Sequence, residues 1–352
     1  MTGHIPVSVV VMTRNEAVNL PLCLPALADF AECFVVDSAS NDGTAEIARA
    51  HGVPVVPFRW NGRYPKKKQW CLDALPLAHD WVLFVDADER PTRALVAEIA
   101  RLMDDGPCHA AYWIDGRPVL HGRALRFGCW NRKLALLDRR RMRYPEQPDL
   151  DVAAMWEVEG HYQPLGEGTA GRLRHPMDHG DAKPLSAWFD RHNRYSDWEA
   201  VLRADGRMER LIDGEPRGCG PVGRPVLKRL FQRLPGRPLW AFLHAYVLRL
   251  GLLDGAAGLD HALARAFYYW QVGLKMRAAA RAQNSSVRIP SIHFPPLHSP
   301  PPHAPPIGSP VGGSMAGCSP EGPYSSTSAM RSPPSAFNRS KVRLRTPGSS
   351  IR

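Results

Sequence analysis

Two carboxylates stand one residue apart at Asp86 and Asp88, directly after the apolar run 81–85. A short apolar run between turn residues is typical of a buried strand, so both carboxylates should stand where that strand ends. Carboxylates placed there can share one divalent cation, with phosphate oxygens and water in its remaining positions. Such a cation would neutralise the charge that builds on a departing diphosphate. A solvated acidic turn is the alternative interpretation.

A second polar cluster begins at Asp37, after the apolar run 33–36, and continues through a Ser/Asn/Asp/Gly turn to Thr44. A carboxylate at a strand end can accept hydrogen bonds from the base or ribose of a nucleotide. A helix that begins near Thr44 would favour anions at its N-terminus. The alternative is an Asx turn with Ser and Thr capping, which makes no contact with a ligand.

A third cluster repeats this arrangement after the apolar run 7–12. Its residues are Thr13, Arg14, Asn15 and Glu16. The sequence has no Gly-x-Gly-x-x-Gly and no Gly-Lys-Ser/Thr, so a dinucleotide fold of that type and a phosphate loop are both disfavoured.

These clusters need elements that bring several strand ends together. Short β-branched runs alternate with helical segments, and their apolar residues are continuous, which indicates strands buried on both faces. We therefore predict an α/β fold with a doubly wound, mostly parallel sheet and ligands at the carboxyl ends of its strands. The predicted strands are 7–12, 33–37, 53–56 and 81–86, extended by 110–114 and 134–138. The predicted helices are 15–28, 44–50, 67–75 and 92–103.

The net charge of +11 is uneven along the 352 residues: +7 over 225–281, +6 over 283–352 and −2 over the rest. A nucleic-acid partner is therefore not expected. The helical pattern of 185–282 mixes basic and aromatic residues, which is typical of helices on an anionic membrane surface. The alternative is a bundle that packs on the catalytic domain. The longest apolar stretch there, 239–248, is shorter than the ~20 residues that span a bilayer.

The segment 283–352 has Ser or Pro at 29 of its 70 positions, which predicts a disordered tail. Seven scattered cysteines without a Cys-x-x-Cys pair favour a reducing compartment. The amino terminus lacks the pattern of a signal peptide. We expect a cytoplasmic protein, with peripheral contact to the inner face of the cytoplasmic membrane if the basic helices touch lipid.

Four motifs occur in an order that resembles the family 2 glycosyltransferases of the GT-A fold. They read SVVVMTRNEAVNL, FVVDSASNDGTAEIARAHG, PKKKQWCLDAL and WVLFVDADERPT. The later segments HNRYSDWEA and RPLWAFLHAYVLRLGLLDGAAGL are similar to the branch of lipopolysaccharide core glucosyltransferases, so the likeness covers about 5–276. The resemblance implies a GT-A nucleotide-sugar domain over 1–184 and the basic aromatic helices over 185–282. The tail over 283–352 has no counterpart in it and is predicted from composition alone.

The resemblance also implies roles for individual residues. The nucleotide-sugar donor would be bound by Thr13, Arg14, Asn15, Glu16 and Asp37. Lys68 would face the donor, and Asp86 and Asp88 would hold Mg²⁺ or Mn²⁺ together with the diphosphate. His179 matches a histidine of the branch that lies near the metal, although a lone histidine is more often structural.

The catalytic base is the point at which the chain departs from the branch, which usually has Val-His-Glu. Here the sequence is Glu-Val-Glu-Gly-His-Tyr, so Tyr162 stands where a glutamate is expected. Tyrosine, with a reference pKa near ~10, is a poor base at neutral pH. Glu159 is the first candidate and Glu157 the second, since both share a face with His161 if the segment is extended. A solvated acidic loop is the alternative.

We therefore expect an inverting, metal-dependent glycosyltransferase that moves a sugar from a nucleotide diphosphate sugar to a hydroxyl of a lipid-linked or cell-envelope saccharide. The first alternative is a nucleotide-sugar-binding protein that has lost catalysis. The second is an interaction protein whose basic tail recruits acidic partners. Arg139, Arg140, Arg141 and Arg143 could hold donor phosphates or an anionic acceptor, or could form a solvated face.

Overall fold

The computed structural model describes residues 4–146, 163–204, 206, 231 and 234–284. The strands are β1 (Ile5–Thr13), β2 (Phe30–Asp37), β3 (Val55–Pro57), β4 (Trp81–Asp86), β5 (Glu89–Pro91), β6 (Ala111–Leu120), β7 (Arg123–Ala124), β8 (Asn131–Asp138), β9 (Met142–Arg143), β10 (Leu165–Gly166), β11 (Ala170–Arg172) and β12 (Met177–His179). The α-helices are α1 (Leu20–Cys23), α2 (Thr44–Ala50), α3 (Lys67–Ala74), α4 (Arg93–Asp105), α5 (Leu185–Ala204), α6 (Arg237–Leu243) and α7 (Gly255–Asn284). A π-helical turn spans His244–Leu248, and 3-10 turns span Leu24–Leu27 and Gly251–Asp254.

The main sheet has the strand order β3-β2-β1-β4-β8-β6-β12-β5, with β7 and β11 paired to β6. The first four strands are parallel, whereas β8 runs antiparallel to both of its neighbours. Thr13 is in register with Asp37, and Met12 with Asp86. Three polar strand ends therefore meet at one edge of the sheet.

The core lies on both faces of this sheet. Eight of the nine residues of β1 are buried, and successive residues face opposite sides. Val9 and Val11 pack with α1 and α4, whereas Val10 and Met12 pack with α3. The predicted α/β class with a doubly wound, mostly parallel sheet is confirmed.

The first predicted helix, 15–28, is wrong in extent. Only the short α1 and a 3-10 turn form, with Pro21 and Pro25 near their amino ends. Proline lacks the N–H that a helix interior needs. Asn15, the first residue of the predicted helix, has a positive φ of 55°, which is outside the range of a right-handed helix. The backbone of residues 14–17 is consequently left at the edge of the sheet, where β1 ends.

The carboxyl-terminal helices pack on one another through polar as well as apolar contacts. The Tyr268 hydroxyl of α7 donates to Glu199 of α5 at 2.7 Å, and Arg203 pairs with the same carboxylate. One stripe of α7 stays exposed, at Leu263, Phe267, Trp270 and Leu274. Across the described helices, none combines the length and the apolar character that crossing a membrane requires. The proposed boundaries at 184 and 282 stay predictions. The first two residues of the predicted tail, 283 and 284, end α7, and the rest of it lies outside the described residues.

Thr92 caps the amino end of α4 and connects this helix to the segment before β12. Its hydroxyl oxygen accepts the Leu95 N–H at 3.2 Å, and the hydroxyl donates to the Pro176 carbonyl at 2.9 Å. Thr92→Ala removes both bonds and should lower the free energy of unfolding by about 1–2 kcal/mol, measured by urea denaturation. Thr92→Ser keeps the hydroxyl and should lose much less. Equal losses in the two variants would contradict the capping role.

Candidate active site

Asp37, at the end of β2, is buried and firmly oriented. It accepts hydrogen bonds from the Thr13 hydroxyl at 2.7 Å and the Ser40 N–H at 2.9 Å, and a third from the Ser40 hydroxyl. A carboxylate can accept about four hydrogen bonds, so these donors leave capacity for one more. The predicted nucleotide contact therefore has a preformed carboxylate at this position.

The turn after β1 closes over the turn after β2. The Asn15 N–H donates to the Ser40 hydroxyl at 2.7 Å, and the Asn41 N–H donates to the Asn15 side chain at 3.0 Å. The Glu16 N–H donates to the Thr44 hydroxyl at 2.8 Å. The second and third polar clusters of the sequence, Asp37–Thr44 and Thr13–Glu16, are thus one structural unit, with the exposed Arg14 at its rim.

Two adjacent lysines at the start of α3 have different surroundings. Lys67 is 1% exposed, and its ammonium donates to the Thr13 carbonyl at 2.9 Å and the Ser38 hydroxyl at 2.7 Å. Lys68 places its ammonium 5.8 Å from the centre of the Tyr144 ring and near enough to Asp86 to lower the pKa of that carboxyl. Lys68 therefore lies near Asp86, and its role in facing the donor stays a prediction, whereas Lys67 ties β1 to β2.

Glu16 points away from Asp37 and joins a second set of residues. Its carboxylate accepts from Asn19 at 2.7 Å and pairs with Lys183. Asn19, which is fully buried, also donates to Asp181 at 2.8 Å. Burial raises the pKa of Glu16 more than these partners lower it. Glu16 thereby connects the turn after β1 to the segment that follows β12.

Asp86 shares a cation with the neighbouring Glu89. Lys133 of β8 lies 3.0 Å from Asp86 and also pairs with Glu89, while the Asp86 N–H donates to Glu89 at 2.9 Å. Burial alone would lower the pKa of Lys133, but the two carboxylates outweigh it and raise that pKa above its usual range. The Asp86 side chain is still 44% exposed, so a ligand can reach it.

Asp88 is held by cations from two other elements. His179 Nε2 of β12 lies 3.3 Å from its carboxylate, and Arg191 of α5 lies 3.5 Å from it. Burial would raise the pKa of Asp88, yet His179 and Arg191 hold it well below its usual range. Conversely, Asp88 outweighs the effect of burial on His179 and raises the pKa of His179 to about 9. The structure brings His179 beside the Asp-x-Asp motif, and its role in binding metal stays a prediction.

The chemistry of these donors fits a cation that arrives with a phosphate ligand. Asp86 ends β4 and Asp88 lies in the short turn that follows, with the imidazole of His179 beside Asp88. In the part of the chain that the structure describes, no three His, Cys, Asp or Glu side chains form a metal-binding group. Mg²⁺ commonly uses only one or two carboxylates, with substrate phosphates and water as further ligands. A site shared with a diphosphate fits these residues better than a cage made by protein alone.

The arginine run after β8 lies at the opposite edge of the sheet. Trp81, the first residue of β4, is in register with Asp138, so the run follows at the amino end of β4. Arg140 pairs with Asp80 and Asp138, each at 2.8 Å. Because β8 is antiparallel to β4, Arg139–Arg141 lie at the other end of β4 from Asp86, which favours the alternative of a solvated face over a contact with donor phosphates. Arg143 pairs with Asp73 at the end of α3.

Four charged residues of this region were not found from the sequence: Lys67, Lys133, Asp181 and Arg191. Each lies in a segment whose charge is typical of solvated surface. The run of three lysines at 66–68 is a local signal only in hindsight, since all three are buried at the start of α3 and Lys67 is the most completely buried. Glu157 and Glu159 lie outside the described residues, and their assignment as catalytic base stays a prediction.

Lys133 should be essential to the stability of this cluster. Lys133→Gln leaves Asp86 and Glu89 close together without their cation and should lower the free energy of unfolding by about 2 kcal/mol, discounted for the exposure of Asp86. Urea denaturation at neutral pH measures the loss. The double variant Lys133→Gln/Glu89→Gln removes one of the two carboxylates and should recover part of it. No recovery in the double variant would contradict the charge balance.

Part of the chain is similar in sequence to known glycosyltransferases. Residues 8–155 match the model of glycosyl transferase family 2. The lipopolysaccharide core biosynthesis glycosyltransferase LpsC of Rhizobium meliloti is 31% identical over 127 residues, which are 35% of this chain and 46% of that protein. A 4,4'-diaponeurosporenoate glycosyltransferase of Staphylococcus haemolyticus is 37% identical over 123 residues, 30% of this chain and 33% of that protein. The chain thus spans less than half the length of either relative.

Among solved structures, a mannosyltransferase from Pyrobaculum calidifontis in complex with GDP-Man and Mn²⁺ is 17% identical, with a TM-score of 0.42. The match covers 78% of this chain and 87% of that one. From the family model and the order of its strand-end motifs, residues 8–155 are a family 2 glycosyltransferase domain.

Proposed function

We propose that the protein is an inverting, metal-dependent glycosyltransferase that uses a nucleotide diphosphate sugar. The observation that carries the proposal is the parallel register of β1 with β2 and β4. It sets Asp37 on one side of the end of β1 and Asp86 on the other, within a family 2 domain. A nucleotide that contacts Asp37 would then extend its diphosphate along the sheet edge toward Asp86.

The donor would be bound by residues that the fold already holds in place. Asp37 would accept from the base or ribose, with Thr13, Arg14 and Asn15 around it. Lys68 would place its ammonium beside the diphosphate, where charge develops as the sugar leaves. These groups need little reorganisation on binding, because buried hydrogen bonds already orient Asp37 and the turn after β1.

Asp86 and Asp88 would hold Mg²⁺ or Mn²⁺, with His179 as a third candidate ligand. When bound, the cation supplies charge neutralisation for the departing diphosphate. Arg191 and Lys133 would keep the two carboxylates ionised and aligned. For His179 to bind a metal, its Nε2 must lose the proton that Asp88 now stabilises, so metal and proton would compete for this nitrogen.

The acceptor would be a hydroxyl of a lipid-linked or cell-envelope saccharide. An inverting transfer needs a carboxylate that removes the proton of this hydroxyl while the sugar carbon is attacked. Glu159 is the proposed base, with Glu157 as the second choice. The similarity to a lipopolysaccharide core biosynthesis glycosyltransferase supports the class of acceptor. We also propose a cytoplasmic enzyme at the membrane surface, without a nucleic-acid partner.

A donor screen tests the proposal. UDP-, dTDP- and GDP-sugars are assayed for nucleotide release with an envelope saccharide extract, with and without EDTA. We expect release from at least one donor and its loss in EDTA. Asp86→Asn and Asp88→Asn should each lower kcat by ~100-fold or more, because each weakens the neutralisation of the leaving group.

Asp80→Asn is the matched control for that screen, because Asp80 is an aspartate of similar exposure at the opposite sheet edge. Its activity should equal that of the wild type. If the protein binds none of the donors, the proposed glycosyltransferase activity is refuted. If turnover continues in EDTA, the proposed metal dependence is refuted.

The base assignment has its own test. Glu159→Gln should lower kcat by ~1000-fold or more with donor affinity intact, because the amide cannot accept the proton of the acceptor. Glu157→Gln is the control and should retain most activity. If Glu159→Gln turns over like the wild type, the base is elsewhere.

A second candidate function follows from Tyr162, which occupies the position where the branch has a glutamate. Loss of that carboxylate would leave a nucleotide-sugar-binding protein without catalysis. Donor binding by calorimetry, with no turnover on any acceptor extract, would favour this alternative.

A further inference from the structure

A dense group of apolar side chains is exposed between the π-helical turn and α7. We call residues 247–253 the leucine turn. Its exposed members are Val247 (45%), Leu248 (73%), Leu250 (48%), Leu252 (42%) and Leu253 (54%). Single exposed leucines are common on protein surfaces, but five large apolar side chains within seven residues form a patch of the kind found at interaction sites.

The leucine turn is held in this shape by the rest of the fold. The Gly128 N–H donates to the Arg249 carbonyl at 2.8 Å, and the Phe127 N–H donates to the buried carboxylate of Asp254 at 2.8 Å. Leu250 has a φ of 56°, a region that leucine rarely adopts. The fold therefore maintains an unfavourable backbone conformation at the place where leucines point outward.

Exposed arginines surround the leucine turn. Arg249 belongs to the turn itself, Arg123 begins β7, and Arg126 lies in the segment after β7 that is hydrogen-bonded to the turn. Two acids oppose these three arginines: the buried Asp254 lies 3.9 Å from Arg123, and Asp260 pairs with His121 at 3.0 Å. Three arginines against two acids leave a net charge of one positive unit here. The patch is therefore apolar at its centre and positive at its rim.

We infer that the leucine turn inserts into the surface of an anionic lipid bilayer. The leucines would enter the boundary between headgroups and acyl chains, and the arginine rim would lie at the lipid phosphates. A second copy of the chain fits this surface less well, since a symmetric contact would bring two positive rims together. The inference rests on the proposed function in one respect: a lipid-linked acceptor is met at such a surface.

Vesicle sedimentation of the full-length chain tests the inference. Vesicles of phosphatidylcholine mixed with phosphatidylglycerol should bind the wild type, and vesicles of phosphatidylcholine alone should bind it much less. Leu248→Asp/Leu253→Asp should lower partitioning into the mixed vesicles by about tenfold or more. Arg123→Gln/Arg126→Gln should also lower it by about tenfold, and this loss should shrink at high salt.

Leu22→Asp is the matched control, because Leu22 is 49% exposed on α1, outside the leucine turn. It should bind vesicles like the wild type. The basic tail is present in every variant and cannot account for a difference between them. Circular dichroism checks that each variant is folded, and the arginine variant provides an independent test if the leucine variant is not.

Three results would overturn the inference. The first is a wild type that does not bind mixed vesicles, and the second is a leucine variant that binds them as well as the wild type does. The third is a wild-type dimer in sedimentation velocity that becomes a monomer in Leu248→Asp/Leu253→Asp, which would assign the patch to a second copy. Donor binding measured without vesicles should be equal in all variants. Its absence from the wild type would refute the proposed function and leave the vesicle result standing.

Discussion

The structure depends on a balance of charge at the carboxyl end of β4. Three carboxylates crowd into the turn between β4 and β5, and three cationic groups from other elements face them. The acids are Asp86, Asp88 and Glu89, and the cations are Lys133, His179 and Arg191. Without these partners, the carboxylates would repel one another in a partly buried position, which is costly. The balance ties β4 and β5 to β8, β12 and α5.

This balance also leaves several cations around an accessible carboxylate pair. Lys68, Lys133, His179 and Arg191 place positive charge around a carboxylate pair that remains open to solvent at Asp86. A diphosphate or a divalent cation that enters must exchange with contacts that already exist. The affinity for each therefore reflects the difference between the internal ion pairs and the new ones, as for any preorganised polar site.

From composition, the carboxyl-terminal helices could lie on a membrane surface or pack as an ordinary bundle. α7 packs against α5 through the part-buried pair of Glu199 and Tyr268, so the described helices of the basic aromatic segment do pack on one another. The same helices leave apolar side chains exposed at the leucine turn and along α7. Packing and an exposed apolar surface therefore coexist, because each helix buries one face and presents another.

Much of the fold follows from local sequence. Continuous apolar runs mark the buried strands, and the polar residue that ends each run marks the sheet edge, so Asp37, Asp86 and Asp88 could be singled out directly. The wrong extent of the predicted helix 15–28 could also have been avoided from the sequence, since Pro21 and Pro25 interrupt this segment. The catalytic base could not be located in the same way, because the chain departs from the branch pattern at Tyr162.

The sequence by itself determined the strands, their order of motifs and the acidic residues at their ends, because hydrophobic burial and strand termination act over a few neighbouring residues. Only the tertiary structure decided which charges oppose those acids. Lys133 is 47 residues from Asp86, and His179 is 91 residues from Asp88. It also decided that Arg140 stands at the far edge, because the direction of β8 is set by pairing across the sheet and leaves no mark in local hydropathy.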